Sequence, residues 1–419
     1  MIKKLVLAVG VLFAAVSLMQ AAGNAGVLAR KKADRSQESN KVNWTGTWAA
    51  AAEYTGVSDM PKASLAGRSV RQIIHVSIGG ERLRLELSNE FGDAPVRIES
   101  VFVADARDSC DIDVRSARFL LFGGKRGVTI PVGETVFSDV FAYPLKPLQR
   151  LAITLSYGDQ VPEHATSHRG SRTTSYIISG KVKPKTSFAH GERVDHWYNI
   201  AALDVVSDAT AVVCLGNSIT DGRGSTTNAQ NRWTDFLSEA LNASGESGAG
   251  VLNQGIGGNA VLRGGLSEPA VKRFERDVLR MRGADRLIVF EGVNDIGGSR
   301  GNAERVAAEL IEAYKRFIEQ GHAAGMKVYG ATITPFKGNG YWSWFHEAAR
   351  QTVNEWIRTC NLWDGVIDFD ELVRDPADPS RLNPTFSDDW LHLNPAGYEA
   401  MGRYAATMLK KGSADFSGW

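Results

Sequence analysis

The chain is poor in cysteine, in net charge and in long apolar segments, and each shortage excludes a class of protein. Three cysteines among 419 residues, Cys110, Cys214 and Cys360, are too few for a disulfide framework and lack the spacing of metal ligands. A single Cys110–Cys360 bridge in an oxidising compartment stays open. The formal net charge of +1 gives no reason to expect nucleic acid or an anionic membrane as partner. These shortages point to an ordinary globular protein whose substrate is neutral or recognised locally.

One apolar run stands apart, from Leu5 to Met19, directly after Lys3 and Lys4. Small residues follow it, so that residues 1–25 have the form of an export signal. The run is short for a membrane span, and no comparable run follows. We therefore predict a signal peptide over 1–25 and an exported protein, periplasmic or secreted, with no stable membrane insertion. The oligomeric state is left open.

After a polar linker over 26–41, apolar and polar residues alternate with a period of two through residues 42–205. The segment Arg82–Leu87 alternates arginine or glutamate with leucine, which is typical of a half-buried strand. Similar runs lie at 96–103, 117–122, 128–132 and 151–157, separated by glycine-rich turns. This pattern predicts an antiparallel β-sandwich or jelly roll as an accessory domain.

From 206 to 412 the period changes, and short apolar runs alternate with helical patterns. The predicted strands are 211–215, 251–253, 287–290, 328–333 and 366–369, and the predicted helices are 232–241, 269–281, 303–324, 343–359 and 395–409. Alternation at this spacing is typical of an α/β domain with a doubly wound parallel sheet of five strands, a three-layer arrangement similar to flavodoxin.

Polar residues or glycines follow these strands at the sheet edge where ligands bind in such folds. Ser218 follows the first strand, a glycine cluster around Gly258 the second, and Asn294 the third, while Asp389-Trp-Leu-His392 precedes the last helix. Residues three apart lie on one side of a turn, so that Asp389 can orient His392 and leave its other nitrogen free to accept the Ser218 proton. Each of these motifs alone is common in unrelated proteins. Their order after successive strands favours a reaction centre over four unrelated turns.

On these motifs, residues 208–410 resemble the SGNH, or GDSL-type, hydrolases. Gly216-Asn217-Ser218 resembles the family's nucleophile block, although Asn217 stands where the family has aspartate. The resemblance implies Ser218, His392 and Asp389 as catalytic residues, and it implies an oxyanion hole from Ser218, Gly258 and Asn294. No metal and no cofactor is implied.

Several further motifs resemble a two-domain branch that includes acetyl xylan esterases, in which a β-sandwich precedes the hydrolase domain. They are Trp44-Thr-Gly-Thr-Trp48, Arg71-Gln-Ile-Ile-His75, Leu87-Ser-Asn-Glu-Phe-Gly92, Asn231-Arg-Trp233, the run 273–279 and Asp368-Phe-Asp370. This resemblance implies removal of O-acetyl groups from plant polysaccharide such as acetyl xylan. A lysophospholipid, other lipid or aryl ester is the alternative substrate, and a decayed, carbohydrate-binding hydrolase is the alternative to an enzyme.

Five residues are candidates for substrate binding. His168 and Asn89 lie in segments that match the two-domain branch, and Trp390 lies inside the Asp-x-x-His turn. Trp342 and Trp344 follow the fourth strand, where exposed rings could stack on sugars, although they could equally pack the next helix. His164 and His168 also have the spacing of a metal pair, but no further ligand accompanies them.

Overall fold

The computed structural model describes residues 42–107, 110–243 and 248–414, and the predicted signal peptide and linker lie outside them. The described residues before 207 form antiparallel strands, as the period of two predicts. These are β1 Trp44–Ala49, β2 Glu53–Tyr54, β3 Arg68–His75, β4 Gly80–Ser88, β5 Val96–Asp105, β6 Arg118–Phe119, β7 Val128–Ile130, β8 Thr135–Phe137, β9 Phe141–Leu145, β10 Arg150–Tyr157, β11 Thr166–His168, β12 Ser175–Ser179, β13 Glu192–Val194, β14 Trp197–Tyr198 and β15 Ile200–Val206.

Two sheets pack face to face in this first half. One has the order β1-β15-β4-β8 with β9 also against β4, and the other has the order β13-β12-β3-β10-β5-β6 with β7 also against β5. Their shared core includes Leu83, Leu85 and Leu87 of β4, all fully buried, together with Val101 and Ile153 of the opposite sheet. Because alternate β4 residues face this core, the sandwich follows from the leucine pattern. A third, three-stranded sheet has the order β14-β11-β2.

The second half is a five-stranded parallel sheet with helices. Its strands are β16 Ala211–Gly216, β17 Gly250–Gly255, β18 Ala284–Phe290, β19 Lys327–Ala331 and β20 Gly365–Ile367, followed by an antiparallel hairpin of β21 Arg374–Asp375 and β22 Asp378–Leu382. Its helices are α1 Ser218–Asp221, α2 Trp233–Asn242, α3 Ala270–Phe274, α4 Val293–Gly297, α5 Ala303–Ala323, α6 Trp344–Thr359, α7 Phe369–Val373 and α8 Pro395–Ala414.

The strand order β17-β16-β18-β19-β20 places the first strand between the second and the third. Val213 and Leu215 of β16 pack in one core with α5 and α6, and Val212 and Cys214 pack in another with α2 and α8. The sheet is therefore covered on both faces. The connection after β16 leads to β17 on one side of it, and the connection after β17 leads to β18 on the other side. This change of direction opens a crevice at the carboxyl ends of these strands.

Backbone contacts join the two halves. The N–H of Gly46 donates to the carbonyl of Arg282 at 2.9 Å, the N–H of Val251 donates to Ser77 Oγ at 3.0 Å, and Ala50 forms a parallel bridge with Asn253. The chain from Trp44 onward accordingly forms one compact unit. The sandwich thus rests directly on the edge strand β17.

Two local predictions are revised by the structure. The helix predicted over 269–281 divides into α3 and a π-helical turn, Glu275–Leu279, and the strand predicted over 117–122 shortens to β6 before the Gly123-Gly124 turn. Cys110, Cys214 and Cys360 are free. Within the described ranges, no helix is both long enough and apolar enough to cross a bilayer.

Candidate active site

The Ser218 hydroxyl lies at the first position of α1, immediately after β16. Asn217 ends the strand in an extended conformation, and its side-chain oxygen accepts the N–H of Ile219 at 3.0 Å. Its amide nitrogen donates at 3.2 Å to the carboxylate of Glu291, the residue that follows β18. The acceptor oxygen of Asn217 therefore caps α1, at the position where the family that the chain resembles has aspartate.

His392 and Asp389 complete a line of hydrogen bonds from Ser218. His392 Nε2 lies 2.8 Å from Ser218 Oγ, and His392 Nδ1 lies 2.6 Å from Asp389 Oδ2. Asp389 Oδ1 also accepts the backbone N–H groups of Leu391 and His392, at 3.0 and 2.8 Å. The carboxylate of Asp389, and not that of the neighbouring Asp388, holds the imidazole and its own turn together. The structure thus brings all three predicted side chains into one chain of contacts.

The charge states of this line suit proton abstraction. Burial lowers the pKa of His392 below its usual value, in spite of the hydrogen bond and charge of Asp389, and the charges of Arg223 and Arg172 act in the same direction as burial. Burial acts to raise the pKa of Asp389, but the hydrogen bonds from His392 outweigh it and the pKa falls below its usual value. At neutral pH the imidazole is therefore a neutral base beside an ionised carboxylate.

Gly258 and Asn294 lie around the same pocket as Ser218. Gly258 has a φ of +70°, a conformation that side-chain-bearing residues rarely adopt, and its turn follows β17. The Asn294 amide nitrogen donates to the carbonyl of Asn259 at 2.7 Å, and Tyr341 Oη donates to the Asn294 oxygen at 3.2 Å. Because an amide nitrogen carries two hydrogens, these contacts fix its orientation and leave a second N–H for a ligand.

The pocket has a volume of about 360 Å³, and six of its sixteen lining residues are charged. The sandwich half contributes a large share of that wall, with Glu53, Asp59, Arg169, Gly170, Arg172 and His196, and the hydrolase half adds Asp221 and Arg223. Apolar wall residues are fewer and comprise Leu266, Tyr341 and Leu391. From this segment the sequence patterns pointed to His168 as a site residue, whereas the side chains that line the pocket are those of Arg169 and Arg172.

His168 belongs to a buried network and does not line this pocket. Its ring is 5% exposed, with Nδ1 2.9 Å from the carbonyl of Ala51 and Nε2 2.9 Å from Asp221 Oδ1. Burial lowers the pKa of His168, but the charge and hydrogen bond of Asp221 outweigh it and raise the pKa above its usual value. Both ring nitrogens face acceptors, so the imidazolium fits the geometry. The role predicted for His168 at the substrate is replaced by that of holding Asp221.

Gly170 shows how closely this loop approaches the hydrolase half. A Cβ at Gly170 would lie 1.8 Å from Asp221 Oδ2, so that only glycine fits there without displacing the carboxylate. Arg172, two residues later, donates to Asp221 Oδ2 at 3.2 Å. The loop 168–172 and the end of α1 are therefore one packed unit.

The structure does not place Asn89 in the pocket. It is fully buried, and its amide nitrogen donates to the carbonyls of Ala94, Ile130 and Pro131, so it stabilises turns of the sandwich. His164 and His168 do not form a metal pair, because His164 contacts the carbonyl of Thr55 while His168 contacts Asp221. Across the described part of the chain, no group of three or more candidate ligands could hold a metal ion.

The predicted tryptophans are near the site but outside the pocket wall. Trp390 has a φ of +61° and packs its ring against Gly338 and Arg381, so that the next residue, Leu391, lines the pocket in its place. Trp342 and Trp344 form an edge-to-face pair with centroids 5.0 Å apart, and Trp344 is 73% exposed. A role in sugar binding for this pair stays a prediction.

Arg273 is a positioning residue to which the sequence patterns assigned no role, although it begins the run 273–279 that resembles the two-domain branch. It is fully buried and donates to the carbonyls of Gly216 and Gln254, at 3.1 and 2.8 Å, and to Asn259 Oδ1 at 3.0 Å. It also pairs with Asp277 at 3.1 Å. One guanidinium thus ties the ends of β16 and β17, which carry the nucleophile turn and the Gly258 turn.

Comparison with known proteins agrees with this architecture. Residues 214–400 match the family described as GDSL-like Lipase/Acylhydrolase. No match to the chain was found among curated proteins.

Several solved structures are similar to the chain. A GDSL-like lipase from Bacteroides thetaiotaomicron has 20% identity and a TM-score of 0.35, covering 48% of this chain and 86% of its own. A carbohydrate acetylesterase family member from Sinorhizobium meliloti has 18% identity and a TM-score of 0.37, covering 48% and 98%. A family two carbohydrate esterase from Cellvibrio japonicus has 13% identity and a TM-score of 0.38, covering 89% and 96%. The serine, histidine and aspartate described above all lie within the segment 214–400 that matches the GDSL-like Lipase/Acylhydrolase family.

Proposed function

We propose that the protein is a serine esterase that removes O-acetyl groups from plant cell-wall polysaccharide, acetyl xylan or a similar hemicellulose, through an acyl-enzyme on Ser218. The observation that carries this proposal is the continuous line Ser218–His392–Asp389, with Gly258 and Asn294 around the same pocket. An oriented base next to a hydroxyl, beside convergent N–H donors, is the arrangement that acyl transfer requires.

In the proposed first step, Ser218 Oγ attacks the acetyl carbonyl carbon while its proton passes to His392 Nε2. The carbonyl oxygen takes up the electron pair, and the N–H groups of Ser218 and Gly258 and the Asn294 amide stabilise its negative charge. Collapse breaks the bond to the sugar oxygen, which leaves with the proton from His392. A water molecule then adds to the acyl carbon, giving one proton to His392, and collapse releases acetate as Ser218 regains its proton. These steps need only this chain's own groups and water.

The wall of the pocket supports a hydrophilic alcohol as the leaving group. Charged side chains from both halves lie around Ser218, and the large apolar side chains of the wall, Leu266, Tyr341 and Leu391, come from separate segments of the chain. A long acyl chain would need a continuous apolar channel to offset its dehydration. The lipid ester alternative is therefore the weaker one. We further propose that the protein is exported, on the strength of the amino-terminal charge and apolar pattern.

The proposal is tested by acetate release from acetylated xylan and by rates on nitrophenyl esters of increasing chain length. We expect acetate release, the highest kcat/KM at the acetyl ester, and loss of both activities in Ser218→Ala. Ser64→Ala, at an exposed serine of the sandwich half, is the matched control and keeps wild-type rates. A maximum at octanoyl or longer would contradict the carbohydrate substrate, and inactivity of the folded wild type on every ester would contradict the esterase itself.

A further inference from the structure

Arg223 is a cation held beside the nucleophile with its charge unmatched. Its backbone N–H donates to the carbonyl of Ser218 at 2.8 Å, and its own carbonyl accepts the Tyr398 hydroxyl. The side chain is exposed at the pocket wall. The ion pairs beside it join Arg172 to Asp221 and His392 to Asp389, and no ion pair of the described residues includes Arg223. The backbone is thus anchored at both sides while the charged group faces solvent.

Arg172 reaches the same pocket from the sandwich half. Its φ of +50° is unusual for a residue with a side chain, and such backbone strain concentrates at functional sites. Its guanidinium makes one contact to Asp221 at 3.2 Å, whereas its Nε is buried with no hydrogen-bond partner among the described residues. A buried donor without a partner is costly, so this atom is suited to an acceptor from outside the protein.

The remaining charges of the wall are paired with one another. Arg169 binds Glu53 and lies 3.9 Å from Asp59, and Asp221 binds the imidazole of His168. Asp221 is also the partner of Arg172, so that among the described wall residues Arg223 is the arginine without a carboxylate partner. Arg223 and Arg172 both lie near His392. Their effect on the His392 pKa, which both lower, agrees with that proximity.

We propose that the acetylated substrate carries a carboxylate close to its ester, and that Arg223 and Arg172 bind this carboxylate. The chemical class is an O-acetylated sugar acid, such as a glucuronic acid unit within the polysaccharide, which the guanidinium fork can bind through paired N–H donors. This inference rests on the proposed esterase function and narrows its substrate. The bound anion would also offset the two positive charges when His392 becomes an imidazolium during the reaction.

A matched pair of small substrates separates charge from shape. The probes are a mono-acetylated methyl glucuronide and the same compound with its carboxylate methyl-esterified, with acetate release as the readout. For the wild type we expect kcat/KM to favour the charged probe by about tenfold at low salt, since one charge-assisted hydrogen bond at a partly exposed site has about that effect. Added salt should shrink the preference.

Arg223→Gln and Arg172→Gln are expected to bring the ratio of the two kcat/KM values close to one. Arg280→Gln, at an exposed arginine outside the pocket, is the control and keeps the wild-type ratio. Arg223 is exposed, so its replacement is compatible with folding even where that of Arg172 is not.

Different results would contradict the carboxylate site and the esterase function. If the wild type hydrolyses nitrophenyl acetate but shows no preference for the charged probe, or if the preference survives Arg223→Gln, the carboxylate site is overturned and the esterase stands. If neither probe nor nitrophenyl acetate is hydrolysed, both proposals are overturned together.

Discussion

Replacement of Asn294 by alanine tests whether this side chain stabilises the developing negative charge. The structure orients its amide by two contacts, to the carbonyl of Asn259 at 2.7 Å and to the Tyr341 hydroxyl at 3.2 Å. A donor held in place before the reaction costs no reorganisation, and loss of one such donor reduces catalysis by about 3 kcal/mol. At about 1.36 kcal/mol for each tenfold change, kcat should fall by roughly two orders of magnitude.

The same substitution has a separate effect on stability. It removes the donor from the carbonyl of Asn259, a fully buried residue, and an unpaired buried acceptor costs about 1–3 kcal/mol. Steady-state kinetics on nitrophenyl acetate should therefore be combined with thermal unfolding, so that the kinetic loss is measured on folded enzyme. Tyr341→Phe, which frees the amide without removing it, should have a much smaller effect, about fivefold in kcat.

Asn302→Ala is the matched control, because Asn302 is exposed and its side chain makes no capping hydrogen bond. Its kcat and unfolding temperature should equal those of the wild type. The reasoning would be refuted by an Asn294→Ala enzyme that stays folded and keeps wild-type kcat. It would also be refuted by a variant in which only KM rises, since this would mean that Asn294 binds ground state and transition state equally.

Three further perturbations follow from the same geometry. Burial lowers the pKa of His392, so kcat/KM should fall only as the pH drops through a value below about 6.5, and a half-maximal pH above 7 would contradict this. Asp389→Asn should reduce kcat by three to four orders of magnitude, because an amide cannot hold the imidazole in the required tautomer, and a loss under tenfold would exclude Asp389 as the orienting acid. Gly170→Ala would place a Cβ 1.8 Å from Asp221 Oδ2 and should lower both unfolding temperature and kcat, whereas Gly56→Ala, which meets no atom closer than 3.7 Å, should change neither.

Periodic elements could be predicted from sequence because their cause is local. The helix predicted over 303–324 is observed as Ala303–Ala323, and all five predicted parallel strands are present within a few residues of their predicted bounds. The strand alternation of the first half likewise predicted antiparallel sheets. Elements were missed or shortened where the backbone departs from a regular period, as in the π-helical turn Glu275–Leu279.

The order of motifs after successive strands also anticipated the central contacts. Ser218 and His392 are 174 positions apart and meet at 2.8 Å. Ser218 follows β16 at the edge of the parallel sheet where ligands bind, and the turn before α8 brings His392 to that edge. The choice of Asp389 over Asp388 rested on the spacing in the family that the chain resembles, and Asp389 is the residue that contacts His392. By contrast, the predictions for Asn89 and His168 rested on the resemblance to the two-domain branch, and both side chains are buried outside the pocket wall. The prediction for Trp390 rested on its place in the Asp-x-x-His turn, and its ring packs away from the pocket.

The sequence by itself determined the two kinds of sheet, the boundary between their patterns and the serine, histidine and aspartate of the site. Only the tertiary structure decided that Arg169, Arg172 and Glu53, which precede the nucleophile by 46 residues or more, form a wall of the same pocket. The physical reason is that a period of two or of 3.6 records which face of an element is buried, but not which other element covers that face. The charge around Ser218 is therefore set by how the sandwich packs on β17, and the substrate preference proposed for this protein depends on that packing.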